Sequence, residues 1–255
     1  MTGFSLAGRA AFITGASRGI GRAIALGLAA AGADVALVAR DEAALVEVRK
    51  EAEELGRTAV VLPCDVTDRH AVQRTVAAAI DGLGHLDVVV NNAGGTSFRA
   101  PFTRMRPVGW DKVLRLNLDS VVSVCAAVGP HLLERGTGSV INVASVAGLV
   151  GTPQLTPYGA AKAAVISLTR SLAMEWGQAG VRVNALCPGW TETDLNEGLR
   201  VDPEAAHGLV AESALARWAQ PAEIVGPAVF LASDASSYVT GSVLVVDGGL
   251  TAGGR

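Results

Sequence analysis

The run Ala10-Ala11-Phe12-Ile13-Thr14-Gly15-Ala16-Ser17-Arg18-Gly19-Ile20-Gly21 sets the frame for the whole chain. Its first five residues form a short apolar stretch of the kind that makes a strand covered on both faces. Beyond it, Ile20, Ile24 and Leu28 recur at helical spacing. Between strand and helix, glycines at 15, 19 and 21 permit a tight turn, close backbone approach to a phosphate, and close packing of helix on strand. A helix beginning there offers free N–H groups and the positive end of its dipole to a pyrophosphate. The spacing is G-x-x-x-G-x-G, neither the G-x-G-x-x-G fingerprint nor a P-loop, which needs G-K-[ST]. Strand, loop and helix in this order predict a dinucleotide site, with Gly15, Ser17, Arg18, Gly19, Ile20 and Gly21 about the phosphates.

The rest of the chain repeats the alternation. Apolar, β-branched runs at 35–39, 59–63, 88–91, 139–143, 181–186 and 242–246 follow the first strand at 10–14, with segments of helical spacing between them. One such helix should open at Pro107, a favourable first-turn residue, and run through Trp110, Val113 and Leu114. Seven strands separated by helices predict an α/β fold, a doubly wound parallel sheet with right-handed crossovers and helices on both faces. Nothing divides the chain, so residues 1–255 read as one domain. An irregular stretch at 194–220 lies between the sixth strand and a helix opening near Pro221. In such sheets ligands sit outside the carboxyl ends of the strands.

The residue after the second strand bears on the cofactor. An acidic side chain there would bond a free ribose 2′-hydroxyl, and an Arg accommodates a 2′-phosphate. Here Ala39 is followed by Arg40, with Arg18 inside the glycine loop. Two guanidiniums suited to a phosphate favour NADP(H), with NAD(H) as the alternative.

Composition bounds the function from outside. The 255 residues are 50% hydrophobic and 18% charged, which argues against disorder. A net charge of −3 leaves no electrostatic footprint for nucleic acid. The apolar window at 23–39 is interrupted by Gly27, Gly32 and Asp34, so no membrane span is expected. Cys64, Cys125 and Cys187 are far apart and read as buried thiols in a reducing compartment. The N-terminus shows no signal-peptide pattern, and a cytoplasmic location is expected. His70, His85, His131 and His207 are scattered without metal-ligand spacing, so no metal is expected.

A second constellation lies in the other half. Ser145 follows the fifth strand, Tyr158 comes thirteen residues later, and Lys162 four beyond that. If Tyr158 opens a helix, the i, i+4 spacing puts phenol and ammonium on one face. A nearby cation favours the phenolate and lowers the Tyr pKa towards use near neutrality. Ser145 could then hold a substrate oxygen while Tyr158 gives or takes its proton.

Taken together, TGASRGIG (14–21), CDV (64–66), NNAG (91–94), Asn117, NVAS (142–145), YGAAK (158–162), NALCPG (184–189) and VDGG (246–249) resemble, in order and spacing, the classical short-chain dehydrogenase/reductase family. The likeness covers nearly the whole chain and extends to 3-oxoacyl-(acyl-carrier-protein) reductase-like members. It implies a Rossmann-like fold and hydride exchange between a nicotinamide cofactor and a carbonyl or secondary alcohol. By this resemblance Tyr158 is the general acid/base, Lys162 binds the nicotinamide ribose, Ser145 positions the carbonyl, and Asn117 carries a water that relays protons to Lys162. Asp65 and Val66 would meet the adenine, while Asn91, Ala93 and Gly94 would line the cofactor. Pro188 and Gly189 would turn the chain beside the nicotinamide, and Thr193 would touch the pyrophosphate or carboxamide. Thr191 stands where the family commonly has an aliphatic residue, with backbone contact expected to survive.

The resemblance leaves the substrate open. A 3-oxoacyl thioester is the first expectation, and a small ketone, sugar acid or steroid-like alcohol the second. The pocket is expected to be mostly apolar, from Phe98, Val146, Leu155 and Trp190, with Leu195 and Leu199 from an insertion at 194–216 that closes as a lid. Arg99, Arg104 and Arg106 would suit a carrier protein or merely a solvated loop. A homotetramer is expected, pairing helices at 107–134 and 158–176. The different-class alternative is a dinucleotide-binding protein without chemistry. A hydrolase is disfavoured, because Ser145 is not in a G-x-S-x-G elbow.

Overall fold

The computed structural model describes residues 3–96 and 98–253. Seven strands, β1 (Ala10–Thr14), β2 (Asp34–Ala39), β3 (Ala59–Pro63), β4 (Val88–Asn91), β5 (Gly138–Val143), β6 (Val181–Pro188) and β7 (Val243–Val246), form one sheet. Their order is β3-β2-β1-β4-β5-β6-β7, and every neighbouring pair is parallel. The expected strand positions hold to within two residues.

The continuous apolar runs are explained by two-sided burial. Phe12, Ala36, Val38, Val89, Val140 and Val183 point to one core. The residues between them, Ile13, Val35, Leu37, Val88, Val90 and Ile141, point to the other. Helices α1 (Gly19–Ala30), α2 (Glu42–Glu54) and α8 (Val225–Ala232) cover the second face through Ile24, Leu28, Leu45, Val48 and Leu231. The first face carries α3 (Arg69–Leu83), α5 (Ser120–Arg135) and α6 (Thr156–Trp176), through Val72, Val76, Val124, Val128, Val165 and Ile166. With no polar face on either side of the sheet, a strand cannot slip by one residue without exchanging its two cores, although both are apolar.

The chain runs outward from β1 to β3, then returns to lay β4 on the other side of β1. Connections at the carboxyl ends of β1 and β4 therefore diverge, and the crevice between them is the topological switch point where ligands bind in such sheets.

Two regions differ from the expectation. The helix that opens at Pro107 is not regular: α4 (Pro107–Leu114) passes through a π-helical turn, Arg115–Asp119, before α5 continues. The whole run Pro107–Arg135 is long and apolar enough to cross a membrane by length and composition, which the window at 23–39 did not anticipate. Half of its most apolar window is buried in protein, with Val121, Val124, Cys125, Val128 and Leu132 in the core. The stretch at 194–220 is more ordered than its mixed composition implied. It holds a 3-10 turn, Asp194–Leu199, and α7 (Pro203–Val210), where the Asp202 carboxylate accepts from Glu204 N and Ala205 N. Asp followed by Pro is a helix-start signal, and it was present in the sequence.

Candidate active site

The glycine loop folds as its residue types require. Gly15 and Gly19 take left-handed φ values of 68° and 55°. Gly21 is fixed by contact rather than by angle: a Cβ there would run into the Gly15 carbonyl oxygen and Asn92 Nδ2. Loop and α1 thus touch where no side chain fits. Whereas Asp41 caps α2 and Asp68 caps α3, α1 has no side-chain cap. Its first N–H groups face the cleft, ready for an anionic ligand.

Asn92 holds the loop in place, a role the sequence reading did not assign. Its Nδ2 donates to the carbonyls of Thr14 (3.0 Å) and Gly15 (3.3 Å), while Thr14 Oγ1 accepts from the amides of Asn92 and Ala93. Asn91, expected to line the cofactor, does not border the cleft. It is the last residue of β4 and is buried, donating to Asn142 Oδ1 at 2.9 Å, and Asn142 Nδ2 in turn donates to Thr169 Oγ1. The cleft begins one residue later, at Asn92, Ala93 and Gly94. The strand's end, rather than the motif's first letter, marks the change from support to site.

A cleft of about 2350 Å³ runs along the carboxyl edge of the sheet, bordered by Ser17, Arg18 and Ile20 at one end and Ser145, Tyr158 and Lys162 at the other. Arg40, Asp65, Val66, Pro188, Gly189, Thr191 and Thr193 also line it. Arg40 is exposed, and Asp65 beside it is held below the usual carboxylate range by the Thr67 amide and hydroxyl, with a smaller contribution from Arg40. Arg18 faces across the mouth, its Nη1 3.8 Å from Asp194. Thr191 is buried, and its hydroxyl donates to the Gly189 carbonyl, so the side chain turns inward where an aliphatic residue was the family habit. Thr193 closes on the glycine loop, its Cγ2 3.2 Å from where a Gly19 Cβ would stand.

At the far end three elements meet. Ser145 follows β5, and its Oγ accepts from Ala147 N at 3.1 Å. Tyr158 lies in the first turn of α6, with the Ser145 hydroxyl beside its phenol. Lys162, one turn on, is 3% exposed, and its Nζ donates to the Val143 carbonyl at 2.8 Å. Among the described residues its other two N–H donors have no partner. Gly94 sits against both Lys162 Nζ and Asn117 Oδ1, at 3.2 and 2.8 Å from the position of an absent Cβ. Asn117 itself is enclosed: its Nδ2 donates to Gly95 O and Val113 O, and its Oδ1 accepts from Gly95 N. The amide belongs to the π-helical turn and ties it to the loop after β4.

Electrostatics here are governed by burial. Desolvation raises the Tyr158 pKa, against the lowering effect of Ser145, so the expected depression by Lys162 is not observed. The lysine is itself lowered to about 8 by burial. Beneath them Cys187 is fully buried, and burial pushes its thiol up to about 11 against the lowering influence of the Ser145 backbone and Lys162, a neutral thiol under the site.

The expected pocket residues all reach the cleft: Phe98, Val146, Leu155, Trp190, Leu195 and Leu199. Leu195 packs over Gly95, where a Cβ would approach it to 2.7 Å. Trp190 packs at a tilt against Trp218, ring centroids 5.2 Å apart and planes 58° from parallel, and Trp218 Nε1 donates to Ala206 O in α7. Alongside them stand polar residues, Thr96, Arg99, Thr152 and Gln154, in a wall that is mostly apolar, as expected.

A seven-stranded sheet of this order, a glycine loop at its switch point, and a Ser-Tyr-Lys cluster on one cleft define a nicotinamide-dependent oxidoreductase of the Rossmann-like type. Residues 15–251 match the family described as enoyl-(acyl carrier protein) reductase. Gluconate 5-dehydrogenase of Gluconobacter oxydans (strain 621H) is 42% identical over 248 residues, 97% of this chain and 96% of that one. The 3-oxoacyl-[acyl-carrier-protein] reductase of Thermotoga maritima is 39% identical over 245 residues, 96% of this chain and 98% of the other. Among solved structures, the gluconate 5-dehydrogenase of Burkholderia cenocepacia J2315, in complex with NADP and tartrate, is 39% identical with a TM-score of 0.94 and covers 98% of each chain. The chain belongs to the classical short-chain dehydrogenase/reductase family, and it is an NAD(P)-dependent oxidoreductase acting on CH–OH and C=O groups.

Proposed function

We propose that this protein is an NADP(H)-preferring oxidoreductase that interconverts a sugar acid of the gluconate kind and its keto form. The observation that carries the chemistry is the meeting of Ser145, Tyr158 and Lys162 on one cleft that begins at the glycine loop. The substrate class draws on relatives named for gluconate and keto-gluconate and on the polar residues in the cleft wall. These weigh more than the relatives named for 3-oxoacyl thioesters.

The residues fit a dinucleotide. Uncapped N–H groups of α1 receive the pyrophosphate, Arg40 and Arg18 a 2′-phosphate, and the two free donors of Lys162 the hydroxyls of the nicotinamide ribose. The bound nicotinamide supplies or accepts the hydride. Ser145 Oγ holds the substrate oxygen, and the Tyr158 hydroxyl gives it a proton on reduction or takes one on oxidation. A raised phenol pKa keeps that proton in place in the free enzyme, and a cation bound nearby works in the opposite sense. Asn117, set between Gly95 and Val113 by its amide, positions the loop beside Lys162 and anchors a water relay.

The test is a comparison of kcat/KM with NADPH for 5-keto-D-gluconate and for acetoacetyl-coenzyme A. A higher value for the sugar acid supports the reading, and a higher value for the thioester overturns it. The homotetramer is proposed on the same footing, with Val108 on α4 and Met174 on α6 among the exposed apolar side chains of the helices concerned. Sedimentation as a monomer at micromolar concentration would remove it.

A further inference from the structure

Among the described residues, two that are not glycine have a left-handed backbone: Gln154, at φ 67°, and Ala216, at φ 48°. Gln154 stands on the wall of the cleft, nine residues after Ser145 and four before Tyr158. For an L-residue with a long side chain this conformation is unfavourable, and glycine or asparagine would adopt it more readily. Such strain persists where the surroundings hold it and where the side chain does something at the site.

The surroundings that hold it are plain. The Gln154 carbonyl accepts from Ala100 N at 3.0 Å, which clamps the loop after β4 to the segment before α6. Pro153 precedes it, and the Thr152 hydroxyl donates to Val150 O at 3.2 Å. A glycine would serve this backbone equally well, so the clamp does not account for the side chain. That side chain is exposed, and its carboxamide makes no hydrogen bond to any described residue.

We propose that Gln154 is a specificity-determining residue whose carboxamide hydrogen-bonds a hydroxyl of the substrate away from the reacting carbon. The inference rests on the sugar-acid reading above. A neutral amide carries donors and an acceptor, which matches hydroxyls that act as both. An aliphatic acyl chain in the same place gives the amide nothing to bond, so the side chain favours a polyol over an acyl thioester.

The experiment compares the wild type with Gln154→Gly and Gln154→Asn on two ketones that both carry a carboxylate: 5-keto-D-gluconate, and 4-oxocyclohexanecarboxylate, which has no hydroxyl. Gln154→Gly is expected to raise KM for the keto-gluconate about 3- to 10-fold, the worth of one hydrogen bond. Its kcat should stay within about twofold and KM for the unhydroxylated ketone should not change; if that ketone is not reduced, its Ki against keto-gluconate is read instead. Gln154→Asn, which tolerates the backbone and keeps a shorter amide, should recover part of the loss. A melting temperature for Gln154→Gly no lower than the wild type's shows that the fold is intact. Equal changes for both ketones, or none for either, overturn the inference while the sugar-acid reading stands. A wild type that turns over no sugar acid overturns that reading and this inference with it.

Discussion

Lys162 Nζ stands 5.6 Å from the centroid of the Tyr158 ring while donating to the Val143 carbonyl. The ammonium is thus anchored to the end of β5 and not to the phenol, which has the Ser145 hydroxyl beside it. The site holds its proton donor and its cation separately, and a ligand with hydroxyls of its own can bridge them.

Replacing Tyr158 by Phe removes the proton donor and leaves the packing of the ring. Turnover should fall about 10²–10⁴-fold, the usual share of general acid–base catalysis. Fluorescence titration should show NADPH affinity nearly unchanged; retained turnover would displace Tyr158 from its role.

Lys162 gives a pH signature in the ligand-free protein. Its folded pKa, about 8, lies below its ordinary value of 10.5, so between these pH values the unfolded chain binds more protons. Its contribution to stability therefore rises as pH increases through that window. Cys64, Cys125 and Cys187 are raised by burial and pull the other way above about pH 9. Cys64 and Cys125 are common to wild type and Lys162→Met, and Cys187, which loses the lowering effect of Lys162 in the variant, stays protonated in both folded proteins over this range, so the melting temperature of wild type minus variant should climb from pH 8 to 10. A flat difference would refute the burial argument.

Arg40 should separate the two cofactors. Loss of a charge-assisted bond to the 2′-phosphate costs about 1.5–3 kcal/mol, so Arg40→Ala should lower the NADPH/NADH affinity ratio about 10–100-fold. An unchanged ratio would leave Arg40 a solvated charge.

Gly21→Ala should act on the glycine loop and the fold together. The added methyl meets the Gly15 carbonyl and the Asn92 amide, so the loop must move. We expect lost NADPH binding and about 1–3 kcal/mol of destabilisation by overpacking, read by titration and by thermal unfolding. Wild-type behaviour in both would show that the contact yields easily.

The segment from Asp194 should respond to cofactor. Its ion pair with Arg18 is exposed, of the kind worth about 0–1 kcal/mol, and a phosphate can displace it cheaply. With NADPH saturating, tryptic cleavage after Arg200 should slow as the lid closes. Equal cleavage rates with and without cofactor would count against a lid.

The sheet was legible in the sequence because two-sided burial writes a strand as an unbroken apolar run, as at 88–91 and 139–143. The positions of Ser145, Tyr158 and Lys162 were legible from spacing. What spacing conceals is direction. Asn91 and Asn92 are the same residue type, and only the end of β4 sends one inward to Asn142 and the other back to the glycine loop. Gln154 carries no local signal, since its backbone angle is imposed by a hydrogen bond from Ala100, distant in sequence. The depression expected for Tyr158 counted a neighbouring charge but not the surrounding apolar mass, which only the packed structure supplies.

The π-helical turn at Arg115–Asp119 places one surplus residue in an otherwise regular helical run. The wider turn absorbs that residue, so α4 and α5 keep one helical phase across it; deleting a single residue there would restore a continuous α-helix and leave Val121, Val124 and Val128 in the core. What the deletion would remove is the local widening that lets the Asn117 amide meet Gly95 and Val113. The surplus residue thus serves the loop beside Lys162 and not the core, and a chain shortened by one here would keep its packing while losing that tie.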